Sequence, residues 1–244
     1  MNNNQTIEKL KSMRLNAMAG LHQQSLANNS HQKCTVDEYI ALLTDCEWED
    51  RQHKKITRLM RKAGFKQQGS IEEVILSEGR NLDKNMFNRL ATLQFIPQHE
   101  NIIITGASGV GKSFLSQALG RQACQMGYTT IYQVAARLFN KMKLAKVDGT
   151  YHKELKRICA AKLLILDDFG LQSMDNQTRE ILLDIIDERH QRASTIMSSQ
   201  IPVSAWYDVI GEGTIADAIL DRLVNSSHRI QLTGDSLRKG MLKQ

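Results

Sequence analysis

The sequence predicts an α/β fold: a five-stranded parallel sheet held between helices, preceded by a small helical domain. Three observations carry that expectation. From Asn101 onward, short apolar runs alternate with helix-compatible stretches, the pattern of a parallel sheet covered on both faces. The first of these runs, Ile102–Thr105, leads directly into a glycine-rich turn that opens a helix at Phe114–Leu119. Residues up to Phe65 instead read as a helical appendage.

Composition bounds the possibilities. A chain of 244 residues with 41% hydrophobic content allows one domain of ordinary size with a real core and a smaller one beside it. No apolar run approaches the roughly 20 residues that span a bilayer. The start, Met1-Asn2-Asn3-Asn4-Gln5, lacks the basic and apolar parts of a signal peptide. A cytoplasmic protein without a membrane partner is expected. Cys34, Cys46, Cys124 and Cys159 lie far apart and form no C-x-x-C pair, so they read as reduced packing residues, and the seven histidines show no metal-ligand spacing. A net charge of +6 makes a polyanionic partner plausible.

The elements follow in order. Ile7 to Gln24 is helix-compatible, Asn28-Asn29-Ser30 breaks it, and Thr35-Val36-Asp37-Glu38 resembles a capping box that opens a second helix. That helix carries Arg51, Lys54, Lys55, Arg58, Arg61 and Lys62 at spacings of three and four, and no acid intervenes between Asp50 and Glu72. These residues form either a solvated basic face or a row of contacts to nucleic-acid phosphates, with Ile56, Leu59 and Met60 turned toward a packing surface. Gly64, Gly69 and Gly79 punctuate a connection that passes through Leu82–Leu93 to the first strand. The domains are expected at 1–66 and 67–244. Strands are expected at Ile102–Thr105, Thr129–Gln133, Leu163–Leu166, Thr195–Ser198 and Arg229–Leu232.

The turn after the first strand, Gly106-Ala107-Ser108-Gly109-Val110-Gly111-Lys112-Ser113, fits the phosphate-cradling pattern G-x-x-x-x-G-K-S/T in its proper strand-to-helix setting. Backbone N–H groups of such a turn, with the positive end of the next helix behind them, surround phosphate oxygens, and Phe114 follows directly. Lys112 would neutralise the β- and γ-phosphates of ATP, and the Ser113 hydroxyl would ligate Mg2+. Leu163-Leu164-Ile165-Leu166-Asp167-Asp168 then supplies a buried strand ending in two carboxylates. Asp167 is expected in the magnesium shell, and Asp168 is the candidate for orienting or activating water. Ser198-Ser199-Gln200 ends the next strand, where a polar side chain either bridges the γ-phosphate and the water or simply makes a turn.

The order of these segments, with Phe169-Gly170-Leu171 after Asp168, Ile201-Pro202 after Gln200, and Ile215-Ala216-Asp217-Ala218-Ile219-Leu220-Asp221-Arg222-Leu223 further on, resembles the IstB branch of the DnaC-like AAA+ ATPases, from about Leu82 to the C-terminus. The resemblance implies an AAA+ P-loop NTPase core. It places Gln200, with Ser199 as the other choice, at the sensor-one position, and Arg222 at the arginine finger that enters a neighbouring subunit's ATP site. The alternative for Arg222 is a local ion pair with Asp221 or Asp217. Only 22 residues follow Arg222, too few for a full C-terminal lid, and Arg238 either reaches the nucleotide or belongs to a solvated tail. Asp168 stands where many AAA+ members have glutamate; hydrolysis is then slow, or ATP acts mainly as an assembly switch.

The resemblance further implies that the helix around Arg137, Lys141, Lys143 and Lys146 tracks DNA, with a bland surface helix as the alternative. It implies a protein that assembles as a homo-oligomer on duplex DNA with ATP and stimulates a partner transposase in DNA transposition. A replicative helicase loader shares the core and is the runner-up. A small-molecule kinase would need an acceptor pocket and an arginine-rich lid, and a scaffold that binds nucleotide without hydrolysis is the remaining class.

Overall fold

Local signals set the limits of the first helices. In the computed structural model, which describes residues 3–76 and 78–237, α1 spans Asn3–Ser12 and α2 spans Asn16–Ala27. The single helix expected from Ile7 to Gln24 is therefore two. Arg14 takes a left-handed backbone with φ 60° between them, and its N–H and that of Leu15 close on the carbonyls of Lys11 and Leu10. The break at Asn28–Ser30 is present, with Asn29 left-handed as asparagine tolerates. Helix α3 spans Val36–Ala63 and opens on the expected capping box. The Glu38 carboxylate accepts from the Thr35 N–H at 2.7 Å, and the Thr35 hydroxyl accepts from the Glu38 N–H at 3.3 Å. Further along α3, buried Glu47 accepts from the Ala17 and Met18 N–H groups at 3.0 and 3.2 Å. A carboxylate thus sits at the positive end of α2.

The chain divides into a unit ending at Arg58 and one beginning at Leu59, earlier than the expected 66/67 boundary. The reason lies in packing: Leu59 and Ala63 form a small apolar cluster with Cys124, and Met60 and Phe65 pack against it. Cys124 is thus a packing residue as expected, whereas Cys34 is exposed.

The second unit continues with α4 (Lys84–Ala91), β1 (Asn101–Gly106), α5 (Lys112–Gln125), β2 (Thr130–Val134), α6 (Ala135–Val147) and α7 (Tyr151–Cys159). Then follow β3 (Leu163–Phe169), α8 (Asn176–Arg189), β4 (Ser194–Ser199), α9 (Trp206–Ile210), α10 (Gly213–Val224) and β5 (Ser227–Leu232). The described strands form one five-stranded sheet in the order β2-β3-β4-β1-β5, every neighbouring pair parallel. Alternation along the strands makes both layers. Ile102, Ile104, Leu163, Ile165 and Ile230 pack with Leu115 and Leu119 of α5. Ile103, Leu164, Leu166 and Met197 face Leu138 of α6, Ile181 of α8 and Ile219 of α10. A period of two sends successive side chains to opposite faces, and both faces here are covered.

Arg189, at the end of α8, is 1% exposed. Its guanidinium donates to the carbonyls of Ile158 (3.2 Å) and Ala161 (2.7 Å), to the Ser194 carbonyl and to the Thr195 hydroxyl (3.1 Å). Burial pushes its pKa down to about 10. The side chain ties the loop before β3 to the start of β4, satisfying carbonyls that water cannot reach. Replacing Arg189 by Ala leaves those carbonyls unpaired around a cavity, so urea unfolding should show a loss of about 3 kcal/mol or more; a loss below about 1 kcal/mol would contradict this role.

Candidate nucleotide site

The C-terminal end of β3 departs from regular pairing. Leu166 pairs with Met197 and Phe169 with Ser199, so Asp167 and Asp168 together lie opposite the single residue Ser198. An extra residue of this kind is a β-bulge, which re-aims side chains. Asp168 accommodates it with a left-handed backbone, φ 56°. In a regular strand adjacent carboxylates would point to opposite faces; here Asp167 bonds to Ser113 at the head of α5, and Asp168 lines a cleft that Ser113 also lines.

Asp167 is 2% exposed and its charge is held by four donors. Oδ1 accepts from the Ser113 hydroxyl at 3.0 Å, from the Ser198 hydroxyl, and from the Asp168 N–H at 3.1 Å. Oδ2 accepts from the Tyr132 hydroxyl at 2.6 Å. Burial, and then the Asp167 carboxylate, push the Tyr132 phenol well above the ordinary tyrosine range, so it stays a donor. A buried carboxylate without such partners would cost several kcal/mol. The Ser113 and Asp167 oxygens are hard ligands of the kind that hold a magnesium ion together with phosphate oxygens and water.

The turn from β1 to α5 forms the floor. Gly111, just before α5, has φ 96°, and a Cβ there would lie 2.5 Å from an Arg80 nitrogen, so only glycine fits. The Lys112 ammonium donates to the carbonyls of Gly106 and Ala107, at 2.8 Å each, which holds it over the turn. Ser108, Gly109, Gly111, Lys112, Ser113 and Phe114 line a cleft of about 590 Å³ together with Asp168 and Gln200. Gly106, Ala107 and buried Val110 complete the turn.

Of the two residues proposed at the end of β4, Gln200 lines the cleft, whereas the Ser199 hydroxyl donates to the Phe169 carbonyl at 2.7 Å and accepts from the Ile201 N–H at 3.2 Å. Arg222 lies apart from the cleft. On α10 its guanidinium pairs with Asp187 of α8 at 2.9 Å and donates to the Ala218 carbonyl at 2.9 Å. Its ionic partner is thus neither Asp217 nor Asp221, since an arginine reaches the neighbouring helix more readily than an acid beside it on its own turn. Arg238 lies outside the described residues.

The basic residues fall into two sets. On α6, Lys141 pairs with Glu154 at 2.7 Å, Lys143 with Asp175 at 2.7 Å and Lys146 with Glu180 at 2.9 Å; Arg137 is exposed. On α3, Arg51 pairs with Glu47 and Lys54 with Asp50. Lys55, Arg58, Arg61 and Lys62 are exposed and make no ion pair among the described residues.

Sequence reasoning missed several residues of this site. Gln67, Gln68, Gly69 and Glu73 also line the cleft, and a Cβ on Gly69 would meet the Phe114 ring at 2.2 Å. Arg80, 9% exposed, donates to the carbonyls of Ile75 (3.1 Å) and Val110 and so straps the phosphate turn. The only signal for these was the run of glycines in the connection; nothing in the pattern told which side chains fold back. Tyr132 and Ser198 read as strand residues and gave no sign of their shared partner.

Fold and cleft together define a phosphate-loop nucleotide-binding protein with an AAA+ core. The fold is similar to the solved DnaC helicase loader, with TM-score 0.55 and 16% identity over 68% of this chain and 97% of that one. It is likewise similar to AMPPCP-bound DnaA from Aquifex aeolicus, with TM-score 0.58 and 22% identity over 74% and 55%. Within that class the chain belongs to the family of IstB-like ATP binding proteins, which it matches over residues 8–244. It is 41% identical over 239 residues to the insertion sequence ATP-binding protein y4pL of Sinorhizobium fredii, covering 98% of both chains. To the ATP-binding protein of insertion sequence IS1162 from Pseudomonas fluorescens it is 36% identical over 201 residues, covering 82% of this chain and 87% of that one.

Gly111→Ala places a methyl group against Arg80 in a backbone region that alanine avoids. Nucleotide affinity, measured by calorimetric titration with ADP, should fall at least about tenfold with a lowered melting temperature; wild-type affinity would show that the turn does not need this glycine.

Proposed function

We propose that this protein is an ATP-dependent, DNA-binding regulator of transposition. The observation that carries the proposal is the convergence of Lys112, Ser113, Asp168 and Gln200 on one cleft, with buried Asp167 bonded to Ser113, in a chain that a relative from an insertion sequence matches nearly end to end. ATP would lie with its phosphates on the turn 106–113 and its base toward Gln67, Gln68 and Phe114, where amide groups and a ring face offer both hydrogen bonds and apolar contact. ATP is the substrate whose phosphoryl group is transferred, and a magnesium ion, when bound, would supply charge neutralisation at its oxygens. Lys112 would hold the phosphates, Ser113 and Asp167 would hold the metal shell, and Asp168 would orient the attacking water, with Gln200 as the polar group that would bridge water and γ-phosphate. The new bond joins the water oxygen to phosphorus, and the bond to the β-phosphate oxygen breaks to leave ADP and phosphate.

Arg222 supports an assembly reading because it is absent from its own cleft. Its pair with Asp187 is partly exposed and of the kind that contributes at most about 1 kcal/mol, so a neighbouring subunit's phosphate can compete for it. Arg137, Lys141, Lys143 and Lys146 of α6, and separately the basic face of α3, would each offer contacts to duplex DNA phosphates. The carboxylates on Lys141, Lys143 and Lys146 are surface partners that DNA phosphates can replace at small cost. The assembly would present target DNA to a transposase, and hydrolysis would disperse it.

The helicase-loader reading has the DnaC likeness behind it, but that likeness is one of fold and spans 68% of the chain. The insertion-sequence relatives extend through the N-terminal unit as well, which favours transposition. Light scattering tests the proposal. With ATP and duplex DNA the protein should scatter as large assemblies and with ADP it should stay small, and in a phosphate-release assay Arg222→Ala should bind ATP normally yet lose at least about tenfold of ATP turnover. Assembly that ignores the nucleotide, or an Arg222→Ala variant with full turnover, would contradict it.

A further inference from the structure

Tyr132 is a buried hydroxyl that the phosphate-loop chemistry does not use. It stands on β2 opposite Ile165 of β3, and Asp167 lies two residues further along the same face. That is a diagonal cross-strand neighbour within reach of a long aromatic side chain. The hydroxyl meets Asp167 Oδ2 at 2.6 Å. Its direction is fixed from behind: the Phe65 ring lies 6.4 Å from the Tyr132 ring at 46°, and the Lys66 ammonium lies 5.9 Å from its centre. The tyrosine is 3% exposed.

The two oxygens of Asp167 therefore have different environments. Oδ1 takes the Ser113 and Ser198 hydroxyls and the Asp168 N–H on the side where a metal shell would form, and among the described residues Oδ2 is held by Tyr132 alone. Without the phenol, Oδ2 would be a buried acceptor lacking its donor, and the carboxylate would turn about its last torsion to find one. That turn would draw Oδ1 away from Ser113.

We propose that Tyr132 is a positioning residue that holds the Asp167 carboxylate in the orientation needed to anchor magnesium. The inference rests on the nucleotide reading of the cleft and deepens it, since it assigns a role in metal affinity and none in contacting the phosphates. Hydrogen-bond partners behind a metal ligand are commonly worth about 10–100-fold in metal affinity. The partner here comes from the sheet's edge strand, outside both motifs that mark the site.

The test uses the full chain and Tyr132→Phe, which keeps the ring and its packing and removes only the oxygen. Binding of a fluorescent N-methylanthraniloyl ADP is followed while magnesium is titrated, and again in EDTA; manganese binding is followed by electron paramagnetic resonance, and melting by circular dichroism. The magnesium midpoint should rise about 10–100-fold, with manganese affinity moving in parallel. Nucleotide affinity in EDTA should stay as in the wild type, while the melting temperature falls by the few degrees that one unpaired buried acceptor costs. An unchanged magnesium midpoint overturns the proposal, as does a loss of nucleotide affinity that is equal with magnesium and in EDTA, because the tyrosine would then be structural only. Failure of the wild type to bind the nucleotide at all would overturn the reading of the cleft itself, a result distinct from an unshifted variant.

Discussion

One buried carboxylate organises this protein's chemistry. Asp167 collects hydroxyls from α5, β2 and β4 and the N–H of Asp168, so three separately encoded segments must meet around a single negative charge. Such a charge is tolerable in the core only when its lone pairs are filled by well-placed donors. The same donors fix where the charge points. The parallel sheet makes this meeting possible, because β3 lies between β2 and β4 and all their C-terminal ends emerge on one edge.

How far the sequence revealed this depends on the range of the interaction. The strands, the capping box at Thr35 and Glu38, and the phosphate turn are local patterns, governed by side-chain alternation, by reciprocal hydrogen bonds three residues apart, and by glycine's backbone freedom. All were legible. The bulge at Asp167–Asp168 was not, since it arises from pairing with β4 and leaves no mark in the composition of β3. Tyr132 and Ser198 were hidden for the same reason: a polar residue in a strand has no visible partner until strand order is known. The kink at Arg14 was missed because a helix-compatible run contains no glycine or proline there, and the break is stabilised by Glu47 far along the chain.

The charged surface follows a different logic. The α6 lysines are each matched by an acid from α7, α8 or the turn before α8, whereas the end of α3 carries cations with no such partners among the described residues. A basic run in sequence says nothing about which of its members are already neutralised by distant acids. If duplex DNA binds as proposed, the two faces differ in kind: α3 offers charge directly, and α6 must exchange one partner for another. Arg222 resembles the second group, since it too is paired with an acid of a neighbouring helix, Asp187 of α8.

The central claim is that Asp167 anchors the metal on which nucleotide-dependent behaviour rests. Electron paramagnetic resonance of manganese, with a non-hydrolysable ATP analogue present, tests it most directly in Asp167→Asn. The wild-type chain should hold one manganese ion tightly and the variant at least about tenfold more weakly, with the analogue still bound in EDTA. Manganese held equally by both proteins would contradict it.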